Sequence, residues 1–248
     1  MNHRIAALVL IIAAIFIIFS CQHPGVDEDY IPVSDYYPLH TGNFIIYSVD
    51  SIHYHDETIP DDTTHYEVKE LLVDTFYDNE NRLNYKIERY RRNDESEEFV
   101  LSNVWSVLEI NGQIQKVENN LRDIKLVGPI SKDQSWDGHK YMGGLEDVFV
   151  PEQCNNLSFL EDWNFTYSEI EEPFDINGFS FDKTVTVEES GDDNLIEYSF
   201  AKEIYAKNVG LIYREFYHYT DNDTDCPDCT WLEHVECGYS VVMKVLEF

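Results

Sequence analysis

Basic side chains are scarce in this chain. Against 48 Asp and Glu it carries 17 Lys and Arg, a formal net charge of −31 over 248 residues. A nucleic-acid binder needs a cationic face to meet phosphates, and this composition cannot supply a strong one. Alanine is missing almost as completely. Beyond the first twenty residues only Ala201 and Ala206 occur, so most of the chain lacks the best helix former. No Gly-x-Ser-x-Gly, phosphate-binding glycine loop or His-Glu-x-x-His is present, and with them go the commonest signatures of hydrolases, nucleotide-binding folds and zinc proteases. Carboxylates are so abundant that no pair among them stands out as catalytic. The chain is nevertheless 43% hydrophobic and 14% aromatic, too rich in buriable surface for a disordered acidic polymer.

Only one long apolar run exists. It follows the short basic start Met1 to Arg4, spans the fifteen residues Ile5 to Phe19 and ends at Ser20-Cys21. A permanent membrane helix needs roughly 20 apolar residues, so this run suits the core of a secretory signal better. A small residue before a Cys directly after such a core resembles a bacterial lipobox, although Phe19 is bulky for its place. That resemblance implies a signal peptide over 1–20, cleavage before Cys21 and acylation of that Cys, for example with palmitate. Residues 21–34 hold Pro24, Gly25, Asp27, Glu28, Asp29 and Pro32 without apolar period, and read as a lipidated tether. With Gln22 after the Cys, the familiar sorting rule points to the outer membrane. Acidic residues from Asp27 onward resemble a surface-export signal, so periplasmic face and cell surface both stay open. The partner of this end of the chain is therefore the membrane, through a lipid anchor.

Residues 35–248 read as one β-rich domain. In Leu83-Asn84-Tyr85-Lys86-Ile87-Glu88 apolar and polar residues alternate strictly, the mark of a half-buried strand. Tyr239, Val241, Met243 and Val245 share one face of a closing strand. Further strands are expected at Phe44–Tyr54, His65–Phe76, Phe99–Ile110, Ile114–Val117, Leu121–Val127, Trp163–Tyr167, Phe181–Glu188, Leu195–Phe200, Gly210–Tyr219 and Trp231–Cys237. Asn111-Gly112 and Asn177-Gly178 are hairpin signals, since Asn and Gly accept positive φ. Gly128-Pro129 and Gly191 to Asn194 read as turns. Short helices are allowed only at Pro151–Asp162 and Lys202–Lys207. The expected fold is mainly β, one large curved antiparallel sheet or an open β-barrel with one or two short helices.

With Cys21 acylated, Cys154, Cys226, Cys229 and Cys237 remain. Four Cys in an oxidising compartment point to structural disulfides, with three possible pairings. Cys226-Pro227-Asp228-Cys229 has the spacing of a redox pair, but Asp221, Asp223, Asp225 and Asp228 surround it with negative charge that disfavours a thiolate; a metal site is the other alternative. Asp221, Asp223 and Asp225 resemble the start of a calcium loop, yet Cys226 and Leu232 stand where an EF-hand needs Gly and Glu. Only a looser calcium site is left as a cofactor reading, beside a plain solvated loop. His53 and His55 fall on one face of a strand and, with His65, form a possible zinc set lacking a fixed further ligand. Asp50-Ser51-Ile52 and Asp62-Thr63-Thr64 look like an O-glycan sequon, with Thr63 the better acceptor because the stretch Asp56–Thr64 reads as a polar loop.

Tyr37-Pro38-Leu39 with Gly42 and Tyr47, the stretch Asn119–Leu126, Trp136-Asp137-Gly138 and Tyr205 through Glu215 are similar to uncharacterised outer-membrane lipoproteins of Bacteroidota. This resemblance implies an address and an all-β fold, and no activity. The residues around Val209-Gly210-Leu211 also resemble half-barrel carriers of lipids and lipoproteins. Three functions follow as expectations: a non-enzymatic binding or assembly module of the cell envelope, a carrier of an apolar ligand or lipid inside a curved sheet, or a disulfide-active or metal-dependent enzyme. The first is preferred, and a connected apolar cavity of several hundred Å³ would favour the second.

Overall fold

The protein is described here by a computed structural model, over residues 30–55, 60–143, 149–150, 155–161, 163–194, 196–221 and 230–248. The compact unit spans Ile31–Phe248. Its strands are β1 (Phe44–Tyr54), β2 (Asp62–Tyr77), β3 (Leu83–Arg92), β4 (Val100–Ile110), β5 (Gln113–Glu118), β6 (Leu121–Val127), β7 (Ser135–Asp137), β8 (Phe149–Val150), β9 (Asn155–Asn156), β10 (Asn164–Ile176), β11 (Phe179–Asp193), β12 (Glu197–Ala206), β13 (Gly210–Thr220) and β14 (Cys237–Glu247). Twelve of them form one antiparallel sheet in the order β6-β5-β4-β3-β2-β1-β14-β13-β12-β11-β10-β7, while β8 and β9 pair separately. The first and last long strands meet in the middle, Val49 opposite Met243. Apart from β7 on β10, every other pair in the sheet joins neighbours in sequence.

The turns that fold this meander are those the Asn-Gly steps predict. Asn111 and Gly112 sit at φ 52° and 72°, and Asn177 and Gly178 at 50° and 83°, the positive values a tight β-hairpin requires. Asn119-Asn120 does the same at 49° and 70° without a glycine.

The sheet curls until its edges almost meet. The Trp136 indole Nε1 donates to the Ile124 carbonyl at 2.7 Å, and the Ile124 amide donates to Gly138 at 2.8 Å. The Tyr167 hydroxyl donates to the Val127 carbonyl at 3.0 Å and accepts from the Val127 amide at 2.9 Å. These bonds satisfy backbone groups that an open edge would leave to water. Gly138 sits where a Cβ would lie 2.4 Å from the Phe165 ring, so only glycine allows β7 to lie this close. The product is a nearly closed all-β barrel.

Both ends are covered. At one, the segment Ile31–His40 crosses the barrel, held by Ile130 N to Ile31 O at 2.8 Å and Asn208 N to Asp35 O at 2.6 Å; Val33 and Tyr36 are buried there. At the other, the 3-10 turn Leu157–Leu160 stacks Phe159 on His218, ring centroids 3.8 Å apart, and Trp163 lies over Phe216. A second apolar cluster joins Ile204, Ala206, Ile212 and Val245 to Phe174, Ile176, Phe179 and Phe181 near the tip of the β10–β11 hairpin.

Three local expectations are corrected, and a fourth, a short helix within Pro151–Asp162, is met. Lys202–Lys207 is not a helix: Lys202–Ala206 belongs to β12, which pairs with β11 and β13 on both sides, and two ladders plus burial override local preference. Trp231–Cys237 is not a strand. Trp231–His234 makes one helical turn, closed by Val235 N to Trp231 O at 2.9 Å, and β14 starts at Cys237. Within Pro151–Asp162 the described helix is the single 3-10 turn. The polar loop before β2 ends earlier than expected, because β2 starts at Asp62 and Thr63 pairs with Ile52.

Candidate functional site

Side chains alternate across a strand, and in β5 and β6 both sets are buried. Ile114, Ile124 and Leu126 pack in the apolar core, yet Lys116, Asp123 and Lys125 are buried as well. These charged residues point into the barrel and meet others from across it. Lys116 Nζ lies 3.1 Å from Glu70 and 2.7 Å from Glu118. Lys125 Nζ lies 3.1 Å from Glu189, 3.0 Å from Glu203 and 3.7 Å from Asp123. Arg214 Nε is 3.4 Å from Glu203, and Arg89 Nε is 3.5 Å from Glu70 with its guanidinium over the Trp105 ring at 4.8 Å. A charged layer thus crosses the barrel interior, with every cation answered by at least one carboxylate.

Its titration follows from competition between burial and pairing. Burial opposes the Lys125 charge, but Glu189, Glu203 and Asp123 outweigh it and hold the ammonium well above its usual range. Burial likewise opposes ionisation of Glu203, yet Lys125, Arg214 and the Tyr205 hydroxyl bring it down to about 2. Glu189 shares that same Lys125 and lies farther from Arg214. Burial wins there and pushes it up to about 8. Burial also raises Asp123 to about 6 and lowers the neighbouring His139 to about 4.

A raised carboxylate pKa makes stability depend on pH in a definite direction. The folded state holds the Glu189 proton more tightly than the unfolded chain, so its contribution is full below the ordinary 4.5 and is lost as pH rises through about 8. Glu189→Gln removes this loss. Urea denaturation from about pH 5 to about pH 9 is expected to show a smaller fall in stability for Glu189→Gln than for the parent protein, and equal falls would contradict the assignment.

The charged layer is the floor of a cavity of about 650 Å³. Arg89, Trp105, Lys125, Arg214 and Met243 line both it and a smaller pocket beneath, where Tyr37, Tyr47, Tyr205 and Leu211 fill the space. Above the floor, Tyr66, Phe159, Trp163, Phe216, Tyr239 and Val241 form an apolar side, and Glu118, Asp123, Glu189 and His139 a polar one. Asn119 and Leu121, at the β5–β6 turn, complete the lining. Arg214 and Arg89 keep 23% and 19% of their side-chain surface accessible although they lie in the barrel interior, because that surface faces the cavity.

The residues singled out in the sequence lie elsewhere. His53 packs on Tyr239 at 4.7 Å, His55 Nε2 sits 3.3 Å from Asp62, and His65 Nδ1 sits 2.8 Å from Asp50. Among the described residues no group of three or more His, Cys, Asp or Glu is placed to hold a metal ion. Asp221 is buried, its amide donating to Ile196. Ser51 is buried in β1, leaving its hydroxyl no room for a glycan, whereas Thr63 is exposed. Cys237 is disulfide-bonded. Cys21, Cys154, Asp223, Asp225, Cys226 and Cys229 lie outside the described residues. The cavity residues escape sequence reading because Asp123 and Lys125 alternate with Ile124 and Leu126, a pattern that ordinarily means charged side outward.

One arrangement looks like a catalytic dyad. Ser199 Oγ and His218 Nδ1 are 2.8 Å apart. Both are buried, and the ring stacks under Phe159. Burial lowers His218 to about 4, so the imidazole is neutral at ordinary pH and packs under the Phe159 ring.

No protein-family profile matches the chain, and no curated protein matches it in sequence. Solved structures do show similarity. One, from Bacteroides fragilis, is described as an exported protein with a YmcC-like fold; the alignment has 10% identity and a TM-score of 0.43 over 85% of this chain and 98% of that one. Another, described as a lipoprotein from Parabacteroides distasonis, aligns at 11% identity and a TM-score of 0.32 over 84% and 97%.

Proposed function

We propose that this chain is a lipid-anchored, non-enzymatic binding protein of the cell envelope, held at the outer membrane by acylated Cys21, whose ligand occupies the barrel cavity. The address rests on the apolar run Ile5–Phe19 ending in Ser20-Cys21 and on the tether that follows. The observation that carries the binding role is the cavity of about 650 Å³, within the range of ligand sites and far above the packing defects of an ordinary core. Its charged side chains pair with one another through part of their polar edges rather than being set as a nucleophile beside a base. That network also disfavours the purely apolar ligand of a lipid carrier, because unpaired carboxylate and guanidinium edges facing methylenes would lose hydration without compensation. In this reading the other half of the Cys237 bridge is Cys226 or Cys229, which fall between β13 and β14 and would staple that hairpin.

Native mass spectrometry of the chain purified from its own envelope tests the binding role. A small-molecule adduct is expected on the parent protein. It should be lost in Val241→Trp, whose larger side chain fills the cavity from β14. A parent protein without adduct, or an adduct that survives in Val241→Trp, would argue against the cavity as the site.

A further inference from the structure

We propose that the cavity is a saccharide site, with a sugar ring lying between an aromatic side and an acidic one. The inference rests on the binding role above and names its ligand class. The topology supplies the two sides. Phe216 lies on β13 and Tyr239 on β14, while Glu118 ends β5 and Asp123 lies in β6. In the twelve-strand order β14 stands six places from β6, and β13 six from β5. That is half the circuit of a nearly closed barrel, so the two pairs face each other across the cavity.

Each side asks for a different surface of the ligand. The Phe216 ring is backed by Trp163, stacked at 6.0 Å and 16°, and Tyr239 lies beside it at 6.1 Å. Aromatic faces carry negative quadrupole charge and attract the weakly positive C–H face of a ring. Across the cavity, burial opposes the Glu118 charge, but Lys116, Arg214 and Lys125 outweigh it and keep Glu118 ionised, its carboxyl brought down to about 2. Its carboxylate, like that of Asp123, accepts hydrogen bonds. At the floor the accessible guanidinium surfaces of Arg89 and Arg214 are planar multiple donors. A ligand that places C–H groups on one face and hydroxyls, able to donate and accept, around its edge satisfies all three.

Other classes satisfy fewer. An acyl chain is apolar on every side and would lie against Glu118 and Asp123 along its length. A polyanion would meet the Glu118 and Asp123 carboxylates together, inside a chain whose net charge is already −31. The volume of about 650 Å³ corresponds to about twenty waters at ~30 Å³ each, room for a short saccharide.

The test uses the full lipidated chain in nanodiscs. Neutral oligosaccharides are titrated in one arm and palmitate in another, with tryptophan fluorescence as the signal because Trp105 and Trp163 line the cavity. The expected result is a saturable shift with a saccharide, weakened about tenfold or more in both Glu118→Gln and Tyr239→Leu. Circular dichroism verifies that each variant is folded. Two variants from opposite sides keep the test valid if one fails to fold. Palmitate binding with no saccharide response up to about 10 mM overturns the saccharide inference and leaves the cavity reading intact. A saccharide response unchanged in the folded variants also overturns it. No response to either ligand, together with no native adduct, overturns both.

Discussion

Lys125→Met is expected to be among the most damaging single substitutions in this barrel, and to be partly rescued by acid. The ammonium is 3% exposed and lies within 3.1 Å of two carboxylates, Glu189 at 2% and Glu203 at 0% exposure. Removing one partner of a buried ion pair typically costs about 3–5 kcal/mol, because the other charge stays buried without compensation. Here Glu189 and Asp123 lose their main cation, whereas Glu203 keeps Arg214. Against a total stability of about 5–15 kcal/mol, that loss takes the protein close to unfolding. The stranded acids escape by protonation. Without Lys125 their folded-state pKa values rise further above the unfolded values of 4.5 and 3.8. The variant should therefore be most stable at acidic pH and weaken as pH rises. Denaturation of Lys125→Met at about pH 5 and about pH 8 measures this, and Lys125→Met with Glu189→Gln should recover part of the loss at the higher pH. A variant as stable as the parent at both pH values would mean that the layer is not closed in the folded protein.

The second large effect concerns the address. Cys21→Ala is expected to leave a precursor that keeps residues 1–20 and carries no acyl chain. In the proposed reading the thiol is the acylation point, and lipoprotein cleavage depends on that modification. Anchoring after cleavage rests on acyl chains, each buried methylene adding about 0.8 kcal/mol. The acidic excess of the chain opposes contact with an anionic lipid surface, and cleavage before Cys21 would remove only Arg4 among the charged residues. Intact-mass measurement on the membrane fraction reads both events. Finding the substituted protein shortened and lipid-modified like the parent would refute the lipoprotein reading.

How far the fold was legible depends on where its information is local. β1 and β6 run over Phe44–Tyr54 and Leu121–Val127, as the apolar pattern delimits them, and the Asn-Gly steps turn where positive φ is needed. Those features depend on a few adjacent residues. The second half of β12 was hidden because Ala201 and Ala206, the only alanines beyond residue 20, bracket Lys202–Tyr205, and its strand state comes from β11 and β13 on either side. Trp231 looked like strand because it is aromatic, yet it sits in a helical turn with its ring near Tyr198. The site was less legible still. Period two says that the two faces of β6 differ and cannot say which is inside. In addition, β6 shifts register between Ile124 and Leu126, which breaks the simple alternation: Leu126 pairs with Ile114 in the core, while Asp123 pairs with buried Lys116. Partners such as Glu189, Glu203 and Arg214 come from strands more than sixty residues away, a separation no local pattern encodes.

The most direct test of the account is an electron-density map of the cavity in crystals of the protein isolated from its own envelope, grown without added ligand. The account predicts connected, non-water density against Phe216 and Tyr239 on one side and within hydrogen-bond reach of Glu118 or Asp123 on the other. Only separate ordered waters above Arg89 and Arg214, or side chains collapsed into the space, would contradict it.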